Sequence, residues 1–467
     1  MKNILIGIFL VFTTSFLFAQ KDTSIITILH INDLHAKINR FPQLKYVVDS
    51  IKEVNNEVYL MAAGDLFSGN PIVDRYEKRG WPIIDMMNDL HFDLSCLGNH
   101  DFDYGQEVLN ERMSDAKFPF ICANIKTDKA VINQPKPYYV LTTESGIKIG
   151  IIGLLQVGQN GYPDSHPKNF TNIEFLDPTK VIKQYKKELN QFDMQIALTH
   201  LGEDADIELA QRVKWVDLII GGHTHTRMEP ARKVGNVTVT QAGGNVKYLG
   251  VTTIKFIDKK LKSIDDVLIP LKFQPRDSIF QDKVKAFSKN PELQKQIANL
   301  TYNIDSPEEL GQLMADAYRE GLSADIAFQN IGGVRTKYIK EGPLKLIDIM
   351  FLDPFNNEIM LFDMNKKDLL SFLRYSYSIR HERNQLVSGI QAEFVVNNKG
   401  ELTDLVLRDK EGIPLLDNKI YKVAINSYMA SSYNFSVKEK AQFTGEFSND
   451  LLIKYFKKYF PIQVGEE

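Results

Sequence analysis

Five short apolar runs in this chain each end on a residue type that binds metals, and that regularity limits the folds open to it. The runs cover residues 25–31, 58–63, 92–97, 196–199 and 216–220. Just past them stand Asp33 and His35, Gly64-Asp65, Gly98-Asn99-His100, His200, and Gly221-Gly222-His223-Thr224-His225. Apolar runs this short, several closed by glycine, read as buried strands, and in an open α/β sheet ligands gather at the carboxyl ends of the strands. One sheet edge can therefore collect Asp33, His35, Asp65, Asn99, His200, His223 and His225.

The histidines support this reading. The chain has nine, and five of them (His35, His100, His200, His223 and His225) fall at these strand ends. Packing histidines would not gather in this way. His30 reads as a core residue or a support behind the ligands, and His91, His166 and His381 as surface residues. Each motif also has a plain alternative. Asp33-x-His35 in extended chain puts both side chains on one side, as does His223-x-His225, but a solvated loop has the same spelling. Asp65 has two oxygens to share between cations, yet an aspartate after glycine can also cap a helix.

With 467 residues the chain exceeds what one core usually serves, so two domains of roughly 200 residues are expected. Its formal charge of -3 leaves no basic excess to displace counterions, which argues against nucleic acid polymers as partners. Residues 1–20 pair a lone Lys2 with an apolar stretch and a small-residue site at Ala19, the pattern of a cleaved signal peptide. The apolar stretch is short for a bilayer span, so the mature protein is expected to be exported and to carry no membrane anchor. Cys96 and Cys122, the only cysteines, sit inside apolar runs and read as free buried thiols.

The domain plan follows from these segments: a metal-binding domain over 24–270, a linker with a helix over 271–300, and a second domain over 301–467. Polar residues from 255 onward mark the change, followed by a charged helix from about 282 to 299. A capped helix is expected over 177–191, a strand over 118–125, a helix over 307–321 and a hairpin over 394–407. In the second domain Asn330-Ile331-Gly332-Gly333-Val334-Arg335 offers close backbone approach and a planar cationic fork, although a tight turn explains it as well.

Seven ligands are too many for one tetrahedral ion and suit two divalent cations roughly 3.5–4 Å apart. Asp33, His35, Asp65 and His225 are expected on one, and Asp65, Asn99, His200 and His223 on the other. Only two of the seven carry charge, so two cations leave a positive excess that attracts a phosphate dianion. A water acidified toward a pKa of about 7 would attack phosphorus. His100, one residue past a ligand, is placed to aid the leaving oxygen, and Asp103 to orient it. Mixed nitrogen and oxygen donors suit Zn, Mn, Fe or Co without distinguishing them.

Asp33-x-His35, Gly64-Asp65, Gly98-Asn99-His100 with Asp103, Thr199-His200 and Gly222-His223-Thr224-His225 resemble the signature of calcineurin-like metallophosphoesterases. Joined to the block ending in Arg335, the order resembles the 5'-nucleotidase family. That resemblance implies a four-layer α/β/β/α sandwich holding the metals and a second α/β domain that binds the nucleoside and swings to deliver it. It also implies that Asn330 and Arg335 contact substrate and that Phe355 and Tyr428 clamp the base. Two departures stand out. Ser432-Tyr433-Asn434-Phe435 occupies the place of the family's Gly-Gly-Asp-Gly, and Ser306 and Gln312 replace an arginine and an asparagine.

The expected function is an exported dinuclear phosphohydrolase releasing phosphate from nucleoside 5'-monophosphates. The same chemistry on 2',3'-cyclic nucleotides, nucleotide sugars or a non-nucleotide phosphoester is the alternative, and a non-catalytic exported binding protein a third. The partner is a small-molecule phosphoester in either catalytic reading; the sequence leaves the oligomeric state open.

Overall fold

The computed structural model describes residues 22–158, 160–380 and 382–462, without the side chains of Arg380 and Glu439. The expected signal peptide and His381 lie outside the described residues. No helix among those described is long and apolar enough to cross a membrane.

Alternation along the first strand decides the layering. In Thr23–Ile31, Ile26 and Ile28 point one way and Leu29 and Ile31 the other, and all are buried. Ile26 and Ile28 join Met61, Leu94, Ile149, Ile196, Leu198 and Leu218 in a core between two six-stranded sheets. Leu29 and Ile31 face the helix Phe41–Val54 and its neighbours, while Ile152 and Ala197 of the other sheet face Val181, Ile182 and Leu209. The outcome is the expected helix, sheet, sheet, helix sandwich.

The first sheet runs Lys260–Pro270, Tyr248–Ile257, Thr23–Ile31, Val58–Ala63, Leu94–Cys96, Phe120–Ile121. The second runs Arg232–Val234, Val237–Thr240, Leu218–Ile220, Met194–His200, Lys148–Leu155, Tyr138–Thr142. The strands that carry the seven candidate ligands are parallel to one another within each sheet, so their carboxyl ends share an edge. The second domain has a mixed four-stranded sheet ordered Ile359–Met364, Tyr421–Asn426, Ile326–Asn330, Gln385–Ser388. Pro307–Gly321 and Ser448–Tyr459 cover one face of it and Lys366–Arg380 the other.

Several elements differ from expectation. Residues 260–270, past the polar change at 255, form an eleven-residue strand paired with Tyr248–Ile257. Asp258 and Lys259, which read as a break, are the two left-handed residues of the tight turn between them. The charged helix is Ser278–Phe287, and residues 296–300 pair instead with Gly342–Lys345. The helix expected over 177–191 splits at Tyr185, whose N–H bonds to Ile182 O three residues back. The strand expected over 118–125 is two short pieces, Phe120–Ile121 and Ile125–Lys126, the second in another sheet. Cys96 and Cys122 are free and buried, as expected.

The domains meet through apolar contacts. Phe280, Val284 and Phe287 of the charged helix, with Ile347 and Phe351 of Leu346–Leu352, pack against the first domain's core. Lys283 pairs with Asp85 and Asp89 at the same junction.

His30 falls on the inter-sheet side and is fully buried, with Nε2 3.0 Å from Asp266 Oδ1. Thr240 and Thr252 donate to the same carboxylate at 2.7 and 2.5 Å, so Asp266 ties both sheets together just behind the ligand edge. Gly250 opposite makes room, since a Cβ there would lie 2.1 Å from the His30 ring. Asp266→Ala orphans three buried polar groups at about 1–3 kcal/mol each. The expected loss is about 3 kcal/mol or more in denaturant unfolding; a loss under about 1 kcal/mol would remove Asp266 from this role.

Candidate metal centre and active site

The ligand turns are built from backbone that side chains usually avoid. Asp33, His35, Asp65, His223 and His225 all have positive φ, between 43° and 82°. Asp33-x-His35 and His223-x-His225 are therefore not extended, and the reason expected for their convergence is replaced by another. Left-handed residues re-aim each side chain separately, at a cost of order 1–3 kcal/mol each that the surrounding bonds must hold. Those bonds form a ladder: Asp33 N to Gly64 O at 3.1 Å, His35 N to Asp65 O at 3.0 Å, Ala36 N to Leu66 O at 2.8 Å. Asp101, buried among them, accepts from Leu66 N and from Gly98 N, each at 2.7 Å. Gly98 has no substitute, because a Cβ would lie 2.3 Å from the Asp65 backbone nitrogen and carboxylate.

All seven expected ligands come together. On one side His35 Nε2 faces His225 Nε2 at 3.0 Å, with Asp33 Oδ1 3.4 Å from His225 and Asp65 Oδ2 3.8 Å from His35. On the other, His200 Nε2 lies 3.1 Å from both Asp65 Oδ2 and Asn99 Oδ1, and His223 Nδ1 3.0 Å from Asn99 Oδ1. Asp33 Oδ1 is also 3.8 Å from His200, so both carboxylates, and not Asp65 alone, lie between the two imidazole pairs. In each of two groups, Asp33 with His35 and His225, and Asp33 with Asp65 and His200, the donor atoms lie within 4.8 Å of one another. His223 turns outward to Asn99 while His225 turns to Asp33, so the two imidazoles serve opposite sides.

The donor chemistry fits metal ions. His200 Nδ1 is 2.8 Å from Ala63 O, which places its proton there and leaves the Nε2 lone pair facing the Asp65 carboxylate and the Asn99 amide oxygen. Asn99 Nδ2 donates to Asp164 O at 2.8 Å, which turns its oxygen inward. Three acceptors then face one another, an arrangement that calls for a cation. The two carboxylates favour positive charge at this spot: burial opposes charge on His200, but Asp65 and Asp33 outweigh it and lift the imidazole to about 10, so a cation bound there would take the place of the Nε2 proton. Burial holds His35 unprotonated, at about 3, as a ligand must be.

His100 stands beside these donors. Its Nδ1 is 2.7 Å from Asp103 Oδ2, as expected, and its ring centroid is 5.2 Å from that of His35. Burial opposes its charge, yet Asp103 and Asp65 lift it to about 9. Asp103 also accepts from Ser68 Oγ at 2.7 Å and Ser165 Oγ at 2.9 Å. Nothing in the residue pattern pointed to these two serines or to Asp164, since short polar residues in loops have no periodicity to find. Asp101 was within reach as the acid beside Asp103 in the same short segment.

The second domain reaches this edge. The Arg335 guanidinium lies 4.8 Å over the Phe355 ring, whose centroid is 6.4 Å from that of His100. Asn330 is buried and accepts from Asn426 Nδ2 at 3.0 Å. Tyr428 is 51% exposed and has no ring contact among the described residues. The departing positions have structural duties: Ser306 caps Pro307–Gly321, Gln312 donates to Asp316 and to Val387 O, and Tyr433 and Phe435 are buried in the second domain's core.

Known proteins match at both ends of the chain. Residues 26–227 match the calcineurin-like phosphoesterase family, whose members are metal-dependent, and residues 286–437 match the 5'-nucleotidase C-terminal domain. A 5'-nucleotidase of Vibrio parahaemolyticus is 26% identical over 94% of this chain and 90% of its own length. The trifunctional nucleotide phosphoesterase protein YfkN of Bacillus subtilis is 25% identical over 87% of the chain, which spans 32% of that longer protein. The 5'-nucleotidase precursor of Thermus thermophilus superimposes with a TM-score of 0.76 at 23% identity, over 95% of this chain and 98% of that one, and shows the shared fold. With both halves matched in the same order and the donor cluster intact, the chain belongs to the metal-dependent phosphoesterases that join a calcineurin-like domain to a 5'-nucleotidase C-terminal domain.

Proposed function

We propose that this protein is an exported dinuclear phosphohydrolase that releases phosphate from nucleoside 5'-monophosphates, with the metals held in residues 24–270 and the nucleoside in residues 301–467. The observation that carries the reading is the meeting of seven donor groups with the His100–Asp103 pair at one sheet edge, directly beside Arg335 and Phe355. Asp33, His35, Asp65 and His225 would hold one divalent cation and Asp65, Asn99, His200 and His223 the other, with Asp33 near enough to both to share. Bound there, such ions supply Lewis-acid charge to the phosphate oxygens and make water a stronger acid.

The chain's own residues do the rest. His100, kept cationic by Asp103 and Asp65, gives a proton or a positive charge to the leaving oxygen. Asp103 fixes the ring so that Nε2 is the end free to act. Arg335 offers its fork to a phosphate oxygen, Asn330 its amide to the substrate, and Phe355 a ring face to the base, with Tyr428 as the second ring that the resemblance implies. A second reading, the same chemistry on cyclic nucleotides, nucleotide sugars or a non-nucleotide phosphoester, has one observation in its favour. Tyr433 and Phe435 fill the core where the family pattern has glycines, and Asn434 stands where it has a carboxylate.

Two outcomes are expected. Chelator-stripped protein should lose hydrolysis of p-nitrophenyl phosphate and regain it with Mn²⁺ or Zn²⁺, whereas His223→Ala should stay at least about a hundredfold slower in kcat/KM at any metal concentration; a fully active His223→Ala excludes this site. In a panel of nucleoside monophosphates, cyclic nucleotides, nucleotide sugars and simple phosphoesters, the monophosphates should have the highest kcat/KM, and Arg335→Ala should raise their KM. Equal rates on simple phosphoesters would favour the second reading.

A further inference from the structure

The loop after Lys148–Leu155 holds four residues of the site at once. Gln156 N–H donates to the His200 carbonyl at 2.9 Å, and Gln156 Oε1 accepts from Asp164 N–H at 3.0 Å. The Asp164 carbonyl accepts from Asn99 Nδ2 at 2.8 Å, and its carboxylate Oδ2 lies 3.5 Å from His223 Nε2. The next residue, Ser165, donates from Oγ to Asp103 Oδ1 at 2.9 Å, while Asp103 Oδ2 faces His100. We propose that Asp164 and Ser165 are positioning residues, Asp164 for the metal-binding pair Asn99 and His223, and Ser165 for the pair Asp103 and His100. This rests on the phosphohydrolase reading above.

An asparagine can ligate a cation only through its oxygen, and at Asn99 the Asp164 carbonyl decides which end points inward. By taking Nδ2 it leaves Oδ1 facing His200 Nε2 and His223 Nδ1 at 3.1 and 3.0 Å. His223 has the same problem, with two nitrogens of which one must be the donor. A carboxylate beside Nε2 favours the N–H there and makes Nδ1 the richer lone pair. Gln156 fixes the loop backbone at Asp164 N–H and also bonds to the Asp164 carboxylate, which keeps Oδ2 beside His223 Nε2.

Ser165 solves a different problem. A carboxylate that orients an imidazole can swing, and Asp103 is gripped on both oxygens: Ser68 on Oδ2 at 2.7 Å and Ser165 on Oδ1. Because Asp164 and Ser165 are neighbours, a single stretch of backbone sets the spacing between a metal ligand and the imidazole that serves the leaving group.

The test titrates Mn²⁺ into the chelator-stripped full chain by calorimetry, with Asp164→Ala, Asp164→Asn and Ser165→Ala beside the unmodified protein. Asp164→Ala should weaken one of two binding events by about tenfold to a hundredfold and leave the other as it was. Asp164→Asn, which still accepts from Nε2–H, should recover part of that loss, and the stripped proteins should share one thermal midpoint. Ser165→Ala should bind Mn²⁺ normally and lower kcat on a nucleotide several-fold at constant KM, more than on p-nitrophenyl phosphate, whose phenolate leaves without a proton. Unchanged Mn²⁺ binding in Asp164→Ala, or a lowered midpoint that accounts for the loss, overturns the inference. An unmodified protein that takes up fewer than two ions instead overturns the reading beneath it.

Discussion

Two buried carboxylates surrounded by imidazole nitrogens and an amide oxygen, all within about 4 Å of a neighbour, form the constraint that the structure must satisfy. Asp33 and Asp65 are withdrawn from water, and their charge lifts His200 to about 10 against the pull of burial. Such a cluster repels itself when empty of positive charge. The site is therefore a place where cations are favoured before any substrate arrives.

Holding it requires backbone rigidity from the layers behind. Five ligands sit at positive φ, and that strain persists because each turn is bonded to the next. The ladder from Asp33 to Leu66, the double cap by Asp101 and the glycine at 98 allow two turns to lie against each other without a side chain between them. Behind the turns, His30 and Thr240 share the Asp266 carboxylate, which joins the strand that leads to Asp33 to the neighbouring sheet. Stability stored in the sandwich is thus used to keep otherwise unfavourable geometry at its edge, which is where function draws on the fold.

Much of this was legible in the residues. Buried parallel strands announce themselves as short apolar runs, and a polar residue just past such a run points to the sheet edge; that is why the seven candidate ligands that meet there could be gathered from spelling alone. The left-handed turns were not legible, because Asp-x-His is spelled the same whether extended or re-aimed residue by residue. The hairpin after Tyr248 was hidden for a related reason: Asp258 and Lys259 look like solvent-exposed linker and are also good left-handed turn residues. Tyr433 and Phe435 showed that the nucleoside half departs from its relatives, but only the fold shows that they are core. Asp164 and Ser165 lie in an aperiodic loop some sixty residues from the partners they hold, beyond the reach of any local pattern.

The proposed pair of cations between Asp33 and Asp65 is open to anomalous diffraction from Mn²⁺-soaked crystals. Two peaks roughly 3.5–4 Å apart are expected, one against His35 and His225 and the other against Asn99, His200 and His223. A single peak, or ions bound away from both carboxylates, would rule the pair out.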